Sequence, residues 1–325
     1  MSNLIILHTA DLHLGESKHI LPDSYLERQL KMLYIIKDYV IEHKVDLLIL
    51  AGDTFDAAQP AQDVKDSFLK WLVEIDSLSC KVLMIKGNHE HVDAQKTALD
   101  TIYNLRSKWK NIHLYLKPGV FNLKGHSFAC IPWGYDLIKY TKKLNKKYEN
   151  YYVVGHLPLG GLKTDGGFVI EGSHKKLLAL PVKAFFLGDI HKRYISSCNR
   201  IQMAGSPIQH IWSDKLPKGI SLLTTKNLKP KLLEIDVPKF EVQKDLKKAK
   251  KSKNIVKFVG KISEDEIENT NIVDTVNYLD EQEAIDYVSE FNVMDGLPDF
   301  MAEQGLTPKQ QKSGARLVEK ICRKI

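Results

Sequence analysis

Five short apolar runs, each closing on side chains that bind metals, limit this chain to a narrow set of folds. They are LIILHTADLH (4–13), VDLLILAGD (45–53), KVLMIKGNHE (81–90), YYVVGH (151–156) and VKAFFLGDIH (182–191). Runs this short, rich in Leu, Ile and Val and bounded by glycine or polar residues, read as strands buried on both faces. Between them, apolar residues recur at helical spacing. Ser24 and Glu27 form a capping box beside Leu26, Leu30, Leu33, Ile36 and Val40. Pro60 opens a second helix striped by Val64, Phe68, Leu72 and Ile75, and a third helix is expected over 94–108. Strand alternating with helix makes this part α/β, with helices on both faces of a layered sheet. From 111 onward the helices thin out. Strand candidates follow at 112–116, 119–123, 127–131, 201–204, 219–224 and 231–236, so the sheet becomes mixed or splits into two layers.

Composition narrows the function classes. Of 325 residues, 43% are hydrophobic, enough for a sizeable core, which excludes disorder as the dominant state. No apolar run approaches the roughly 20 residues of a bilayer span, and no basic region leads into a cleavable apolar stretch, so no membrane is expected. The cysteines at 80, 130, 198 and 322 form no close pair and read as reduced residues of a cytoplasmic protein. The net charge of +7 permits a nucleic-acid partner without requiring one. That charge is uneven. Residues 1–240 carry 33 basic and 24 acidic side chains, whereas residues 266–300 carry 10 acidic and no basic ones.

The ends of the five runs carry the chemistry. Asp11-x-His13, Gly52-Asp53, Gly87-Asn88-His89, Gly155-His156 and Gly188-Asp189-x-His191 each place a potential ligand at a strand exit. If strand alternation persists, Asp11 and His13 point the same way. In an open α/β sheet these exits form the natural crevice. Any one of these residues alone reads as a turn, a cap or a hydrogen-bonded histidine; the fivefold repetition is what argues for a common site. Three Asp, four His and one Asn without thiolate suit Mn²⁺, Fe²⁺, Mg²⁺ or Zn²⁺. Eight such residues exceed the needs of one ion and fit two ions sharing a carboxylate, an arrangement suited to phosphoryl transfer. His19, His43, His113, His126, His174 and His210 lack this setting and read as ordinary histidines.

At this point the motifs resemble a known pattern. DLH (11–13), GDTFD (52–56), GNHE (87–90), GH (155–156) and GDIH (188–191) look like the ordered motifs of the calcineurin-like metallophosphoesterases. The wider frame, including IPWG (131–134), AGSPIQ (204–209) and KGISLL (218–223), resembles the nuclease subunit of the Mre11 and SbcD group. The resemblance implies a four-layer sandwich of two mixed sheets flanked by helices, with a small C-terminal cap and a helical tail. It implies two divalent ions, Mn²⁺ first and Mg²⁺ or Fe²⁺ as alternatives. Asp11, His13 and His191 would hold one, Asn88, His156 and Asp189 the other, and Asp53 would bridge them. His89 would contact the phosphate and assist departure of the sugar oxygen, in a direct hydrolysis without a covalent enzyme intermediate. The family usually has Gly-His-x-His where this chain has Gly-Asp-x-His at 188–191, which leaves either a working carboxylate ligand or an impaired site. GDTFD, with Asp56, looks like bacterial and phage members. The lack of Arg-Gly after Asp56 separates the chain from the Ser/Thr protein phosphatases.

The implied organisation is a nuclease domain over 1–240, a cap over 241–300 and a docking helix over 301–325. KDLKKAKKSK (244–253) reads as a linker or exposed helix, 255–260 as a strand, and Asp280 with Glu283 and Thr307 with Pro308 as later helix starts. Implied partners are DNA, a Rad50- or SbcC-like ATPase and a second copy of the chain, giving a heterotetramer, in a bacterial or phage-infected cytoplasm. Lys139, Lys142, Lys143, Lys146 and Lys147 offer a basic helical face to DNA, and Lys192 and Arg193 lie beside His191. Ser206 and Pro207 read as a turn near the site, and Trp133 as core or as a pocket wall. Two other readings stay open: a small-substrate phosphodiesterase, and a catalytically weak scaffold subunit.

Overall fold

The computed structural model describes residues 2–276, apart from 16–21, 94–95, 146–147, 149, 164–168, 172–173, 213, 215–216, 261, 263–266 and 268–269. In chain order the first half comprises β1 (Ile5–Thr9), α1 (Pro22–Glu42), β2 (Leu47–Leu50), α2 (Gln62–Asp76), β3 (Lys81–Ile85), α3 (Asp100–Asn104) and β4 (Ile112–Tyr115). The second comprises β5 (Gly119–Leu123), β6 (His126–Ile131), α4 (Leu137–Leu144), β7 (Tyr152–His156), α5 (Lys175–Leu178), β8 (Ala184–Gly188), β9 (Tyr194–Ile195) and β10 (Ile201–Met203). Then follow β11 (Ile220–Thr224), β12 (Lys231–Leu233), β13 (Phe240–Gln243), α6 (Leu246–Lys251), β14 (Ile255–Val259) and β15 (Ile272–Val276).

Two six-stranded mixed sheets result, ordered β12-β11-β1-β2-β3-β4 and β5-β6-β7-β8-β10-β9. Strand alternation sorts their side chains into layers. From the first sheet, Leu7, Leu48, Leu50, Val82 and Met84 pack against Leu33 and Ile36 of α1 and Phe68 and Leu72 of α2. The opposite residues, Ile6, Leu47, Ile49, Leu83 and Ile85, meet Phe128, Tyr152, Val154 and Phe186 of the second sheet. The outer face of that sheet, with Val153, Phe185 and Leu187, takes up Leu137 of α4 and Leu177 of α5. The order is helices, sheet, sheet, helices: the expected four-layer α/β sandwich. Because β1, β2, β7 and β8 lie inside it, their side chains are almost wholly buried, which is why they are continuous apolar runs.

Some local expectations shift. Helix α1 starts at Pro22, two residues before Ser24, and α3 is confined to Asp100–Asn104. The residues before α3 are engaged elsewhere: Thr97 Oγ1 donates to Glu90 O at 2.8 Å, and Asp93 Oδ1 accepts the Lys96 N–H at 2.9 Å. Basic segment 244–253 contains a true helix, α6, capped by Asp245, with Ala249 buried against Val256 and Phe258. It belongs to a third, parallel sheet ordered β13-β14-β15, of which only the middle strand was anticipated. That sheet meets the main body where Phe240 and Ile255 pack on Tyr25 of α1. Asp280, Glu283 and the helix expected from Thr307 lie outside the described residues. Among the described residues, no helix is long and apolar enough to cross a membrane.

Candidate metal centre

The ends of β1, β2 and β3 meet the ends of β7 and β8. Strand β1 stops at Thr9, and both Asp11 and His13 have left-handed backbone, with φ of 53° and 44°. Strand alternation is therefore not what aims them; two left-handed turns are. The turns are held by hydrogen bonds from Asp11 N to Gly52 O and from His13 N to Asp53 O, each 3.1 Å. Asp53 and Asp189 are left-handed too, at 50° and 101°. The glycines before the candidate ligands have steric reasons. Gly52 has φ of 94°, and a Cβ there would collide with the His156 ring; at Gly87 it would collide with Asp53 Oδ1 and backbone.

Three histidines share one arrangement. His13 holds Nδ1 3.0 Å from Asp56 Oδ1, His156 holds Nδ1 2.7 Å from Ala51 O, and His191 Nδ1 lies 3.5 Å from Asp214 Oδ1. Each keeps Nε2 for the middle of the cluster. His13 Nε2 and His191 Nε2 are 3.0 Å apart, while Asp53 Oδ2 lies 3.2 Å from His156 Nε2 and 3.8 Å from His13 Nε2. The other Asp53 oxygen accepts the His89 N–H at 3.0 Å. Asp189 joins through its N–H, which donates to Asp11 Oδ1 at 2.9 Å, and its carboxylate, 3.6 Å from His156 Nε2. The Asn88 amide lies 2.8 Å from His156 Nε2; with its nitrogen turned inward it also donates to Asp189 Oδ1 at 3.1 Å. With its oxygen inward it completes an all-acceptor set suited to a cation.

The electrostatics agree. Burial alone would lower His156, but the hydrogen bond and charge of Asp53, with Asp11 and Asp189, outweigh it and lift the imidazole to about 10. That lift measures how strongly the pocket favours positive charge. Burial tends to raise Asp53, yet His156, His13 and the His89 N–H bring it down to about 2. Asp189 goes the other way: burial, helped by repulsion from Asp11 and Asp53, lifts it to about 6. Asp11 Oδ2 is buried without a hydrogen-bond partner, a costly state for a carboxylate oxygen that a cation would relieve. His13, Asp53 and His89 form one group able to hold an ion, and Asp11, Asp53 and His156 another. The residues present fit divalent metal ions.

The family profile described as calcineurin-like phosphoesterase matches residues 4–193, over half the chain and all five strand exits. The chain belongs to this family. Over 258 residues the phosphoesterase is 25% identical to the SbcD component of the SbcCD nuclease of Staphylococcus epidermidis, covering 68% of this chain and 66% of that one. Over 131 residues it is 30% identical to the protein of the same name from Escherichia coli K12, covering 39% and 28%. The matched segments thus span just under two thirds of the first relative and about a quarter of the second. A solved dimetal phosphatase from Danio rerio aligns at a TM-score of 0.44 and 13% identity, covering 67% of this chain and 91% of that one.

Other expected site residues are more dispersed in this phosphoesterase. His89 sits at the open side of the cluster, 38% exposed, with Nδ1 2.6 Å from Asp56 O. Lys139, Lys142 and Lys143 are exposed on α4, whose buried side is Leu137 and Thr141. The helix ends at Leu144, and Lys146 and Lys147 lie outside the described residues. Lys192 is exposed, but Arg193 turns inward and its Nε donates to Ser221 Oγ at 3.2 Å, so its side chain is engaged within the body. Trp133 is half-buried, tilted against His91 and under Lys86.

Several residues that sequence reasoning passed over support the centre. Glu90 is fully buried and accepts the N–H groups of Thr54, Phe55 (3.1 Å) and Gly87 (2.7 Å), tying two ligand loops together. Burial, reinforced by the Asp53 charge, pushes its carboxyl up to about 7. His210, read as ordinary, is wholly buried with Nε2 3.0 Å from Asp11 O and its ring against His13 and His191. Burial and those two histidines push it well below its usual range, so it stays neutral. Its place beside the AGSPIQ motif was the one available signal.

Proposed function

We propose that this phosphoesterase is a Mn²⁺-dependent DNA exonuclease and endonuclease subunit that works with a Rad50- or SbcC-like ATPase in end processing, recombination or repair. The carrying observation is that His13 and His156, each anchored through Nδ1, converge by Nε2 on one oxygen of Asp53, and His191 Nε2 meets His13 Nε2 at 3.0 Å. Asp11, His13 and His191 would hold one ion and Asn88, His156 and Asp189 the other, with Asp53 between them. Bound divalent ions would supply Lewis-acid stabilisation of the negative charge that develops on the phosphoryl oxygens and would lower the pKa of water. His89, fixed through Nδ1 at the open side, keeps Nε2 for a phosphate oxygen and for proton delivery to the leaving sugar oxygen. Lys139, Lys142, Lys143, Lys146, Lys147 and Lys192 would track the DNA backbone. Arg193 is assigned to the same surface, with its Nε donating to Ser221 Oγ.

We assign residues 1–240 to the nuclease body, 241–300 to the cap and 301–325 to ATPase docking, in a homodimer that builds a heterotetramer. Two relatives named as the SbcD component of the SbcCD nuclease support this reading. Asp189 favours a second one, a catalytically weak subunit, because its carboxylate adds negative charge beside Asp11 and Asp53. Purified protein with Mn²⁺ is offered linear duplex DNA and bis(p-nitrophenyl) phosphate. DNA cleavage lost in His89→Ala supports the nuclease. Turnover of the small ester alone supports a small-substrate phosphodiesterase, and turnover of neither supports the weak subunit.

A further inference from the structure

We propose that Asp214 is a positioning residue that fixes the tautomer and aim of His191 toward its ion; the proposal rests on the metal-centre reading above. His191 follows β8 in a loop, outside any strand, and its side chain is 25% exposed, so packing alone does not lock its ring. His13 has Nδ1 held by the part-buried Asp56 carboxylate, and His156 has Nδ1 held by the buried Ala51 carbonyl. The corresponding oxygen for His191 is Asp214 Oδ1, at 3.5 Å, from a side chain only 1% exposed. For His191 Nε2 to offer a lone pair into the cluster, Nδ1 must carry the proton, and a carboxylate is the acceptor that enforces this.

Asp214 is itself held in place. Its Oδ2 accepts the His210 N–H at 2.8 Å and lies 3.7 Å from Lys218 Nζ. Its carbonyl accepts from Gln209 Nε2 at 2.8 Å. Lys218 closes the loop by donating to His191 O at 2.8 Å and to Ser206 Oγ at 2.9 Å. Backbone and ring of His191 are thus gripped by one buried Asp–Lys pair. The turn at Ser206 carries the chain from the β10 exit to this pair, which gives the AGSPIQ segment a purpose its own side chains do not reveal.

The test uses the full chain, Mn²⁺ and isothermal titration calorimetry on wild type, Asp214→Asn, His191→Ala and the double variant. Outer partners of ligating histidines are worth about 10–100-fold in metal affinity. Asp214→Asn is expected to weaken one of two Mn²⁺ sites by that factor and leave the other unchanged. In the His191→Ala background the same substitution is expected to add nothing, because its effect runs through the imidazole. Equal loss at both sites, or an additive loss in the double variant, would mean a general structural role and overturn the proposal. Unchanged affinity beside a two-site wild type would overturn it alone; a wild type that binds no Mn²⁺ would overturn the metal centre as well. A measurement independent of variant folding is the ¹⁵N spectrum of His191 in Zn²⁺-loaded wild type. The Nδ1–H tautomer is expected, and the Nε2–H tautomer refutes the assignment.

Discussion

Replacing Glu90 by alanine tests whether one buried carboxylate holds two ligand loops together. In the native chain it accepts three backbone N–H groups, two from the loop after β2 and one from the loop after β3. Truncation leaves these donors facing a small void. An unpaired buried donor costs about 1–3 kcal/mol, so the gross loss is roughly 3–9 kcal/mol. Water entering the void recovers part of it, which leaves about 2–6 kcal/mol. For a body of this size each kcal/mol shifts the melting point by about 2–4 °C, so Glu90→Ala should melt roughly 5–20 °C below wild type. Glu90→Gln should lose less, because one oxygen still accepts while its new NH₂ group faces an N–H. The assay is thermal unfolding followed by circular dichroism, with Mn²⁺ titration of each variant below its transition. If Glu90→Ala melts within about 3 °C of wild type, the donors have found other partners and the proposed tie between the loops is wrong.

His8 should make the fold acid-sensitive. It is wholly buried with neither ring nitrogen partnered, and burial, with the nearby Arg193 charge second, drops it from 6.5 to about 3. The unfolded chain binds this proton below pH 6.5 and the folded chain refuses it until about pH 3, so stability falls as pH drops through that window. Between pH 6.5 and 5 the loss is about 2 kcal/mol; urea midpoints of His8→Phe should fall less over this range, and a parallel fall would refute the assignment. Gly87→Ala should destabilise by about 1–3 kcal/mol and weaken Mn²⁺ binding, since its methyl group would displace the Asp53 carboxylate; wild-type affinity by calorimetry would show that the loop yields freely. Removing Lys139, Lys142 and Lys143 together should lower the slope of log affinity against log salt by about 2–3 for duplex DNA in an anisotropy titration, and an unchanged slope would place the backbone contacts elsewhere.

The strands that carry the site were legible because an interior strand is apolar on both faces. Their shortness and the glycine or polar exits that bound them set them apart from apolar stretches inside helices, such as 32–36 in α1. Helices α1 and α2 were legible through their buried stripes for a related reason. Strand β13 was not: FEVQ is short, half polar and paired only with residues 15 positions onward, so its identity comes from β14. The length of α3 was misread because side chains just before it satisfy the backbone of Glu90 instead of extending a helix.

The candidate ligands were visible for the same reason as the strands, since each follows directly on an apolar run. The supporting set was not, because its contacts cross the whole chain: His210 meets Asp11 across 199 residues, and no local spacing encodes that. The backbone shows what those contacts are for. Among the described residues, eight non-glycine positions have positive φ, and four of them are Asp11, His13, Asp53 and Asp189. Each costs of order 1–3 kcal/mol, a cost glycine would avoid, but glycine has no ligand atom to offer. Such strain persists only where the surroundings over-determine it. Glu90 on the β2 and β3 loops, Asp56 on His13, and His210 on the carbonyl of Asp11 provide that constraint. The same residues that fix the ligand geometry therefore also offset the strain of reaching it, and removing one should weaken metal affinity and fold stability together.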